Sequence, residues 1–207
     1  MSASADLRDV LGGAVHEVAP LLLGAVVSHA GVGVRLTEVE AYGAADDAGS
    51  HAHRGRTRRN AVMFGPAGRL YVYFTYGMHH CANVVCGPEG EAAAVLLRAG
   101  EVVSGLDLAR VRRPASTERD LARGPARLCT VLDLDLTNDG QVLGTAGLEL
   151  RLGDTPDPEN VSRGPRVGLR GAPETPWRYW LTGERTVSTY RPAAHRPGPQ
   201  ASDLRKQ

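Results

Sequence analysis

The sequence predicts a single compact domain of the mixed α+β class, built around an antiparallel sheet. Residues 32–37 alternate apolar side chains with small or polar ones, and this period of two indicates a strand with one face inward. Residues 70–75 are dense in aromatic and β-branched side chains, and turns containing glycine flank them. The segments 101–112 and 125–134 are interpreted as helices. Strands and helices mixed in this order are typical of the α+β class.

The remaining elements follow from local patterns. Residues 18–27 are apolar enough for a buried helix that leads into a strand, with Pro20 near the helix start because proline lacks a backbone donor. Glu38 and Glu40 are expected to continue the inward face of the strand at 32–37. Further strands are predicted at 92–97, 148–152 and 187–190. Surface loops, marked by proline, glycine and acidic residues, are predicted at 153–160 and 171–176.

Length and composition fit one globular domain. The chain has 207 residues, of which 42% are hydrophobic, and single cores usually run from about 100 to 200 residues. Residues 1–190 are expected to form that domain. Residues 191–207 contain three prolines and little apolar material, which predicts a flexible C-terminal tail.

Cysteines and the N-terminus indicate the cytoplasm. Cys81, Cys86 and Cys129 form no C-x-x-C pair and leave an odd thiol, so neither a disulfide framework nor a zinc ribbon is indicated. No secretion signal is recognisable, and no stretch approaches about 18 uninterrupted apolar residues. The histidine pairs H-x-H at 51–53 and H-H at 79–80 are weak metal signals without H-E-x-x-H. We expect no metal, and no association with a membrane.

Two carboxylates two residues apart are the first candidates for chemistry. On a regular strand Glu38 and Glu40 would stand on one face, roughly 6.5 to 7 Å apart. An inward carboxylate is costly unless it has partners. A structural glutamate paired with arginine is therefore the alternative interpretation for either residue.

Aromatic side chains near these acids predict a pocket for a flat base. The candidates are Tyr42, His51, Tyr73 and Tyr76. Stacking on an aromatic ring contributes about 1 to 3 kcal/mol for any base, so polar groups such as Asn83 and His51 are needed to discriminate. Tyrosine also favours strands for reasons of fold alone. Tyr76 differs because it abuts Gly77 at the expected strand end, where an exposed ring could unstack a base step.

A run of arginines predicts contact with nucleic acid. No acidic residue occurs from His51 to Leu70, and the basic residues in between would suit a phosphate backbone. They are Arg54, Arg56, Arg58, Arg59 and Arg69. The net charge of +1 does not by itself indicate nucleic acid, so this interpretation rests on how the charge is distributed.

Several unrelated short motifs occur in one order along the chain. They are the E-V-E-A-Y of 38–42, the segment 46–51, Arg59-Asn60, the segment 71–78, Asn83, and the segments 96–99, 124–129, 165–168 and 176–179. Together they resemble the alkyladenine (3-methyladenine) DNA glycosylase family. The resemblance covers nearly the whole chain apart from its two ends.

The resemblance implies roles for the pocket residues. Glu40 matches the family's catalytic carboxylate, which activates water, and Arg98 matches an arginine near that carboxylate. The walls of a pocket for a flipped base are matched by Tyr42, His51 and Tyr73.

The resemblance also implies how DNA is held. Tyr76 matches the intercalating residue of a protruding β-hairpin, and Met78 matches its DNA-contacting neighbour. Asn83 matches the residue that disfavours the guanine 2-amino group. The implied fold is a compact mixed domain around an antiparallel sheet, in agreement with the pattern of strands.

The implied reaction is hydrolysis of the N-glycosidic bond of an alkylated or deaminated purine in duplex DNA, which starts base excision repair. The only lysine is Lys206 in the expected tail, so a lysine Schiff base is not indicated and a monofunctional glycosylase is expected. The resemblance further implies a monomer without cofactor, in the cytoplasm and on the nucleoid. Its partner is damaged double-stranded DNA.

Three alternatives remain open at this stage. A noncatalytic module that binds damaged DNA would keep Tyr76 and the arginines while making Glu40 dispensable. An inverting sugar hydrolase is suggested by the spacing of Glu38 and Glu40, which lies near the lower bound of about 6.5 Å for its two carboxylates. In a plain structural domain the tyrosines and acids would serve the fold alone.

Overall fold

The computed structural model describes residues 7–75, 77–169 and 171–193, which form a mixed α+β domain with a curled antiparallel sheet. The strands are β1 (Val26–His29), β2 (Val32–Tyr42), β3 (Leu70–Thr75), β4 (His79–Val85), β5 (Ala94–Ser104), β6 (Glu149–Arg151), β7 (Val161–Gly164) and β8 (Arg178–Leu181). The α-helices are α1 (Leu7–Leu11), α2 (Val15–Leu21), α3 (Leu106–Arg112) and α4 (Pro125–Leu132). Short 3-10 helices span Ala61–Phe64, Glu118–Asp120, Leu136–Asn138 and Pro158–Asn160.

The strand β2 is the centre of the sheet. Along one edge it pairs with β5, and along the other it pairs first with β1 and then with β8. The main path runs β3-β4-β5-β2-β1-β6, and β7 attaches to β8. Each of these pairings is antiparallel, which confirms the predicted class and sheet type.

The hairpin of β3 and β4 extends from this sheet. Its register runs from Leu70 opposite Val84 to Thr75 opposite His79. Met78, next to the tip, is 67% exposed. The implied protruding hairpin is therefore confirmed.

A β-bulge interrupts the middle of β2. Its register with β5 shifts between Leu36 and Val39, and in β5 the same irregularity leaves Arg98 without a residue opposite it. Bulges re-aim side chains and are over-represented next to active sites. Arg98 is thereby directed toward Glu38 and Glu40 of β2.

The bulge also exchanges the two faces of β2. The core receives Val32, Val34 and Leu36 before the bulge, and Val39 and Ala41 after it. Glu38 and Glu40 are fully buried, but they alternate with the second group and so lie on the face away from the core. The prediction that they continue the inward face of 32–37 is wrong, because a slip of one residue turns the side chains that follow to the opposite face.

The helices cover the core face of the sheet. α4 begins at Pro125, since proline is tolerated at the first helical position. It buries Leu128, Cys129, Val131 and Leu132 in the main core. On the other side of the hairpin, a smaller cluster that includes Met63, Tyr71 and Val85 supports the wall of a cavity.

The strand predicted at 92–97 is longer than expected. β5 continues to Ser104 because its pairing with β2 persists as far as Gly33. The helix predicted at 101–112 is therefore wrong over its first residues and shrinks to α3. Gly105 turns the chain at that point with φ +70°, and a Cβ there would lie 2.1 Å from the Gly31 carbonyl oxygen.

Two further predictions are wrong. Pro20 lies in the last turn of α2 rather than at its start. Residues 187–190 form no strand, because the Ser188 backbone N–H donates to the Glu38 side chain instead of to a neighbouring strand. β7 and β8 were not predicted at all. The strands at 70–75 and 148–152 and the helix at 125–134 are confirmed to within two residues at each end.

Most of the expected tail, residues 194–207, lies outside the described part of the chain. Among the residues that the structure describes, no helix is both long and apolar enough to cross a membrane.

Candidate active site

A cavity of about 240 Å³ opens between the end of β2, the β3–β4 hairpin and the loops that contain 49–51 and 167–169. Residues from eight separate parts of the sequence meet there. Those predicted from the sequence are Glu40, Tyr42, His51, Tyr73, Asn83 and Arg98. The cavity lies on the face of β2 that the bulge turns away from the core.

Glu40 is the anionic group of the cavity wall. Its Oε2 accepts a hydrogen bond from the Tyr42 hydroxyl at 2.8 Å, and its Oε1 accepts one from the backbone N–H of Val167 at 2.7 Å. The Nε of Arg98 lies 3.4 Å from the same Oε1. Donors on both oxygens fix the orientation of the carboxylate while it faces the cavity.

Tyr42 donates its hydroxyl hydrogen bond to Glu40 and also lines the cavity. Burial, and then the negative charge of Glu40, raise the pKa of Tyr42 well above its usual value, so its hydroxyl keeps its proton and acts as a donor. The guanidinium carbon of Arg166 lies 4.6 Å from the Tyr42 ring centroid and 5.3 Å from that of Trp177. The Tyr42 ring is thus held in place by a cation.

Arg166 itself is clamped by Asp47. Its Nη1 and Nη2 donate to the two Asp47 carboxylate oxygens, each at 2.6 Å, and both side chains are fully buried. Burial alone would raise the pKa of Asp47, but Arg166 and the backbone N–H of Gly43 hold it below its ordinary value. A Cβ on Gly49 would lie 2.8 Å from Arg166 Nη2, so the clamp needs glycine there.

Glu38 has a different environment from Glu40. It is fully buried and does not belong to the cavity wall. Its Oε1 accepts from Arg98 Nε at 2.9 Å and from Arg178 Nε at 2.5 Å. Ser188 donates to the same carboxylate through its backbone N–H at 2.7 Å and its hydroxyl at 3.0 Å. Glu38 therefore ties β2, β5, β8 and the segment around Ser188 together.

A cluster of rings forms the second wall. The His51 ring meets the Tyr73 ring edge to face with centroids 4.5 Å apart, and its Nδ1 lies 3.0 Å from the Tyr71 hydroxyl. Burial, and then the charge of Arg59, lower the pKa of His51. His51 is accordingly neutral at neutral pH, since its ordinary pKa is already about 6.5.

The tyrosines of this wall remain protonated. Burial raises the pKa of Tyr71 to about 12 and raises that of Tyr73 further. Asn83 completes the wall beneath them. Its Nδ2 donates to the Tyr71 carbonyl at 3.0 Å, which fixes the side-chain amide at the edge of the cavity.

The arginine run lies at the surface and outside the cavity lining. Four of its members are exposed, namely Arg54, Arg56, Arg58 and Arg59. Arg59 also lies 5.7 Å from the Tyr73 ring centroid and donates to the Phe74 carbonyl at 3.3 Å, so it borders the aromatic wall. Arg69 instead donates to the Gly140 carbonyl at 3.0 Å and serves the fold. Met78 is exposed near the hairpin tip, whereas Tyr76 lies outside the described residues.

Several residues of the site had no role assigned from the sequence. They are Asp47, Tyr71, Arg166, Val167, Trp177, Arg178 and Ser188. Most of them fall inside or beside short motifs noted above. Those whose partners are more than 100 residues away in the chain are Asp47, Arg166, Val167, Arg178 and Ser188. From the sequence, only their position in or beside a motif could have indicated a role for them.

Comparisons with known proteins place these features in a family. The family model described as methylpurine-DNA glycosylase matches residues 9–185. A protein of Frankia casuarinae is 53% identical over 201 residues, which cover 92% of this chain and 95% of that protein. A Streptomyces avermitilis protein is 51% identical, with 92% of each chain covered. A Mycobacterium leprae protein is 48% identical, covering 88% of this chain and 87% of that protein. All three carry the provisional name 3-methyladenine DNA glycosylase.

Proposed function

The chain belongs to the methylpurine-DNA glycosylase family, and on that premise we propose that it flips a damaged purine from duplex DNA and hydrolyses its N-glycosidic bond with water activated by Glu40. The resemblance drawn from the motifs is confirmed, and the chain is a DNA glycosylase of alkylated purines. Base flipping, the activated water and the action on deaminated purines are the finer parts of the proposal.

The environment of Glu40 is the observation that carries the proposal. The carboxylate is buried, held by donors on both oxygens, and open to a cavity with aromatic walls. A carboxylate so placed can accept a proton from water and stabilise positive charge that develops on the sugar, as in glycoside hydrolysis. Arg98, beside Glu40 in the wall, would orient the water and the carboxylate.

The rings supply the binding of the flipped base. Tyr42, His51 and Tyr73 line one continuous cavity, and stacking contributes about 1 to 3 kcal/mol per base. We assign Tyr76 as the wedge that fills the vacated stack, with Met78 contacting DNA beside it. Asn83 would oppose guanine, because its fixed amide lies at the edge of the cavity.

The charge of the lesion decides how much help departure needs. Alkylation at N3 or N7 makes the purine cationic, so a single carboxylate suffices, and electron-rich rings can hold the cation. Hypoxanthine is neutral and needs a proton. His51 is proposed to bind such a base by a hydrogen bond, since its lowered pKa makes it a poor store of protons near neutral pH.

The sugar-hydrolase alternative loses support from the geometry. It requires Glu38 and Glu40 to face one substrate with room for water between them. Glu38 instead lies outside the cavity lining, and two arginines and Ser188 donate to its carboxylate. Of the two glutamates, only Glu40 lines the cavity.

The remaining proposals concern the partner and the place of action. The exposed arginines Arg54, Arg56, Arg58 and Arg59 would contact the phosphates of damaged duplex DNA. We propose that a monomer suffices, without metal or cofactor, and that it acts in the cytoplasm on the nucleoid.

The test compares wild type with Glu40→Gln on duplex oligonucleotides containing 3-methyladenine, 7-methylguanine, hypoxanthine or ethenoadenine. Free base and alkali-labile strand breaks are measured. We expect base release by wild type and a loss of roughly 10²- to 10⁴-fold in the variant. Glu101→Gln is the matched control, because Glu101 lies in a surface ion pair with Arg35. Wild type that binds damaged DNA but releases nothing would establish the binding module instead.

A further inference from the structure

We propose that Glu38 is a positioning residue for this reaction, one that holds the Arg98 guanidinium beside Glu40 without letting it close over the carboxylate. The inference rests on the proposed function of Glu40. It assigns a functional role to the buried member of the glutamate pair, which does not line the cavity.

Arg98 lies between the two glutamates but closer to Glu38. Its Nε is 2.9 Å from Glu38 Oε1 and 3.4 Å from Glu40 Oε1. The hydrogen bond is therefore donated to Glu38, while Glu40 receives only the field of the cation. The bulge in β5 places Arg98 in this position, because it leaves the residue unpaired opposite β2.

Glu38 is a rigid anchor for this contact. Arg178 donates to its Oε1, and the Arg178 guanidinium carbon lies 4.5 Å from the Trp180 ring centroid. The backbone N–H of Ser188 holds Oε2. Because these contacts hold the Glu38 carboxylate to β8 and to the Ser188 segment, the carboxylate cannot shift together with Arg98.

The charges explain why an anchor is needed. Burial alone would lower the pKa of Arg98, but the charges of Glu40 and Glu38 raise it, so the guanidinium stays cationic in the wall. An arginine released from Glu38 would be drawn to Glu40, the other carboxylate within reach. A fork-like contact with both Glu40 oxygens would then compete with water for the carboxylate.

The first measurement is the single-turnover rate constant of base release for Glu38→Gln, together with its Kd for damaged duplex. We expect the rate constant to fall roughly 10- to 100-fold, as a small misplacement of a catalytic group can cause. The Kd is expected to change less than about twofold, because Glu38 does not reach the cavity. A weaker Kd with an unchanged rate constant would overturn the inference.

A double-mutant cycle with Arg98→Gln separates positioning from general support. If Glu38 acts through Arg98, then Glu38→Gln has little further effect on the rate constant in the Arg98→Gln background. Equal fold-losses in both backgrounds would show independent action and would refute the proposal.

Ser188→Ala is the matched control. It removes one donor to Glu38 Oε1 but leaves the contacts of Arg98 and Arg178 in place. We expect less than about a threefold loss of rate. A loss equal to that of Glu38→Gln would mean that any loosening of the cluster slows the reaction, and positioning would be rejected.

Glu38→Gln leaves two buried arginines short of a carboxylate, so its folding has to be secured. The paired variant Glu38→Gln/Arg178→Gln removes opposite charges together, which is less costly than leaving one unpaired. It is expected to fold, by circular dichroism, and still to release base slowly. A folded paired variant with the wild-type rate would overturn the inference, whereas a wild-type rate in Glu40→Gln would overturn the proposed function.

Discussion

The two walls of the cavity differ in how firmly their side chains are held. The acid wall consists of Glu40, Tyr42 and Arg98, and the ring wall of His51, Tyr71, Tyr73 and Asn83. In the acid wall, Glu40 is fully buried and bonded to donors from its own strand and from a distant loop. In the ring wall, His51 is exposed on one side and touches Tyr71 and Tyr73 through a hydrogen bond and an edge contact. The difference fits the proposal that the rigid wall carries the chemistry and the open wall contributes to base recognition.

The energetic cost of the acid wall is larger as well. Buried ions require partners, and breaking one buried pair costs about 3 to 5 kcal/mol. An aromatic pair contributes only about 0.5 to 1.5 kcal/mol beyond the area that it buries. Substitutions in the acid wall are therefore expected to affect stability and rate, and those in the ring wall to affect substrate choice.

The largest effect is expected for Asp47→Asn, which removes the charge that clamps Arg166 behind Tyr42. The free energy of unfolding should fall by about 3 to 5 kcal/mol, because a buried cation loses its partner. Urea unfolding measures it, with Glu101→Gln in the surface pair as control, where less than about 1 kcal/mol is expected. A small loss for Asp47→Asn would contradict the rigid support of the acid wall.

The same carboxyl predicts a pH dependence. Its folded-state pKa lies below the ordinary 3.8, so its contribution to stability is present above about pH 4 and is lost as the pH falls through the folded pKa. Wild type should therefore lose more stability than Asp47→Asn between pH 5 and pH 2. Parallel stability curves for the two proteins over that range would be inconsistent with this account.

Tyr42→Phe tests how far the acid wall depends on one donor. It keeps the ring but removes the hydroxyl that donates to Glu40, and an unmade buried hydrogen bond costs about 1 to 3 kcal/mol. Base release in single turnover should slow about tenfold, while Kd for damaged duplex stays near wild type. Tyr73→Phe is the control in the ring wall, and an equal loss there would erase the distinction between the walls.

The pKa of His51 tests what controls protonation in the ring wall. Arg59 helps to lower its pKa, so Arg59→Gln should raise that pKa toward its ordinary value of 6.5. An NMR titration of the His51 ring measures it, with Arg58→Gln as the control, because the charge of Arg59 and not that of Arg58 lowers this pKa. No change in the Arg59 variant would mean that burial alone sets the protonation of the ring wall.

The smallest effect concerns the arginine run. Arg58 is exposed, and loss of one phosphate contact should reduce the slope of log Kd against log salt by about 0.9. Arg69→Gln should leave the slope unchanged, since Arg69 donates to the Gly140 carbonyl. Equal slopes in wild type and Arg58→Gln would show that Arg58 does not contact a DNA phosphate.

Local patterns were sufficient for much of the fold. The density of aromatic and β-branched residues predicted β3, and the helix at 125–134 was confirmed as α4. The patterns failed where long-range pairing competes with local preference. Residues 101–104 stay in β5 because β2 pairs with them, and β7 and β8 are too short to carry a period of their own.

The sequence by itself determined the residue types of the site and their order, which sufficed to relate the chain to a family and to bring six predicted residues into one cavity. The resemblance singled out Glu40, but only the tertiary structure shows why Glu40 lines that cavity and Glu38 does not. Glu38 and Glu40 have the same chemistry and the same local setting in the chain. A bulge turns both of them from the core. Their difference comes from Val167, which bonds to Glu40, and from Arg178 and Ser188, which bond to Glu38; the fold brings all three from more than 100 residues away. A local pattern contains no information about such distant partners.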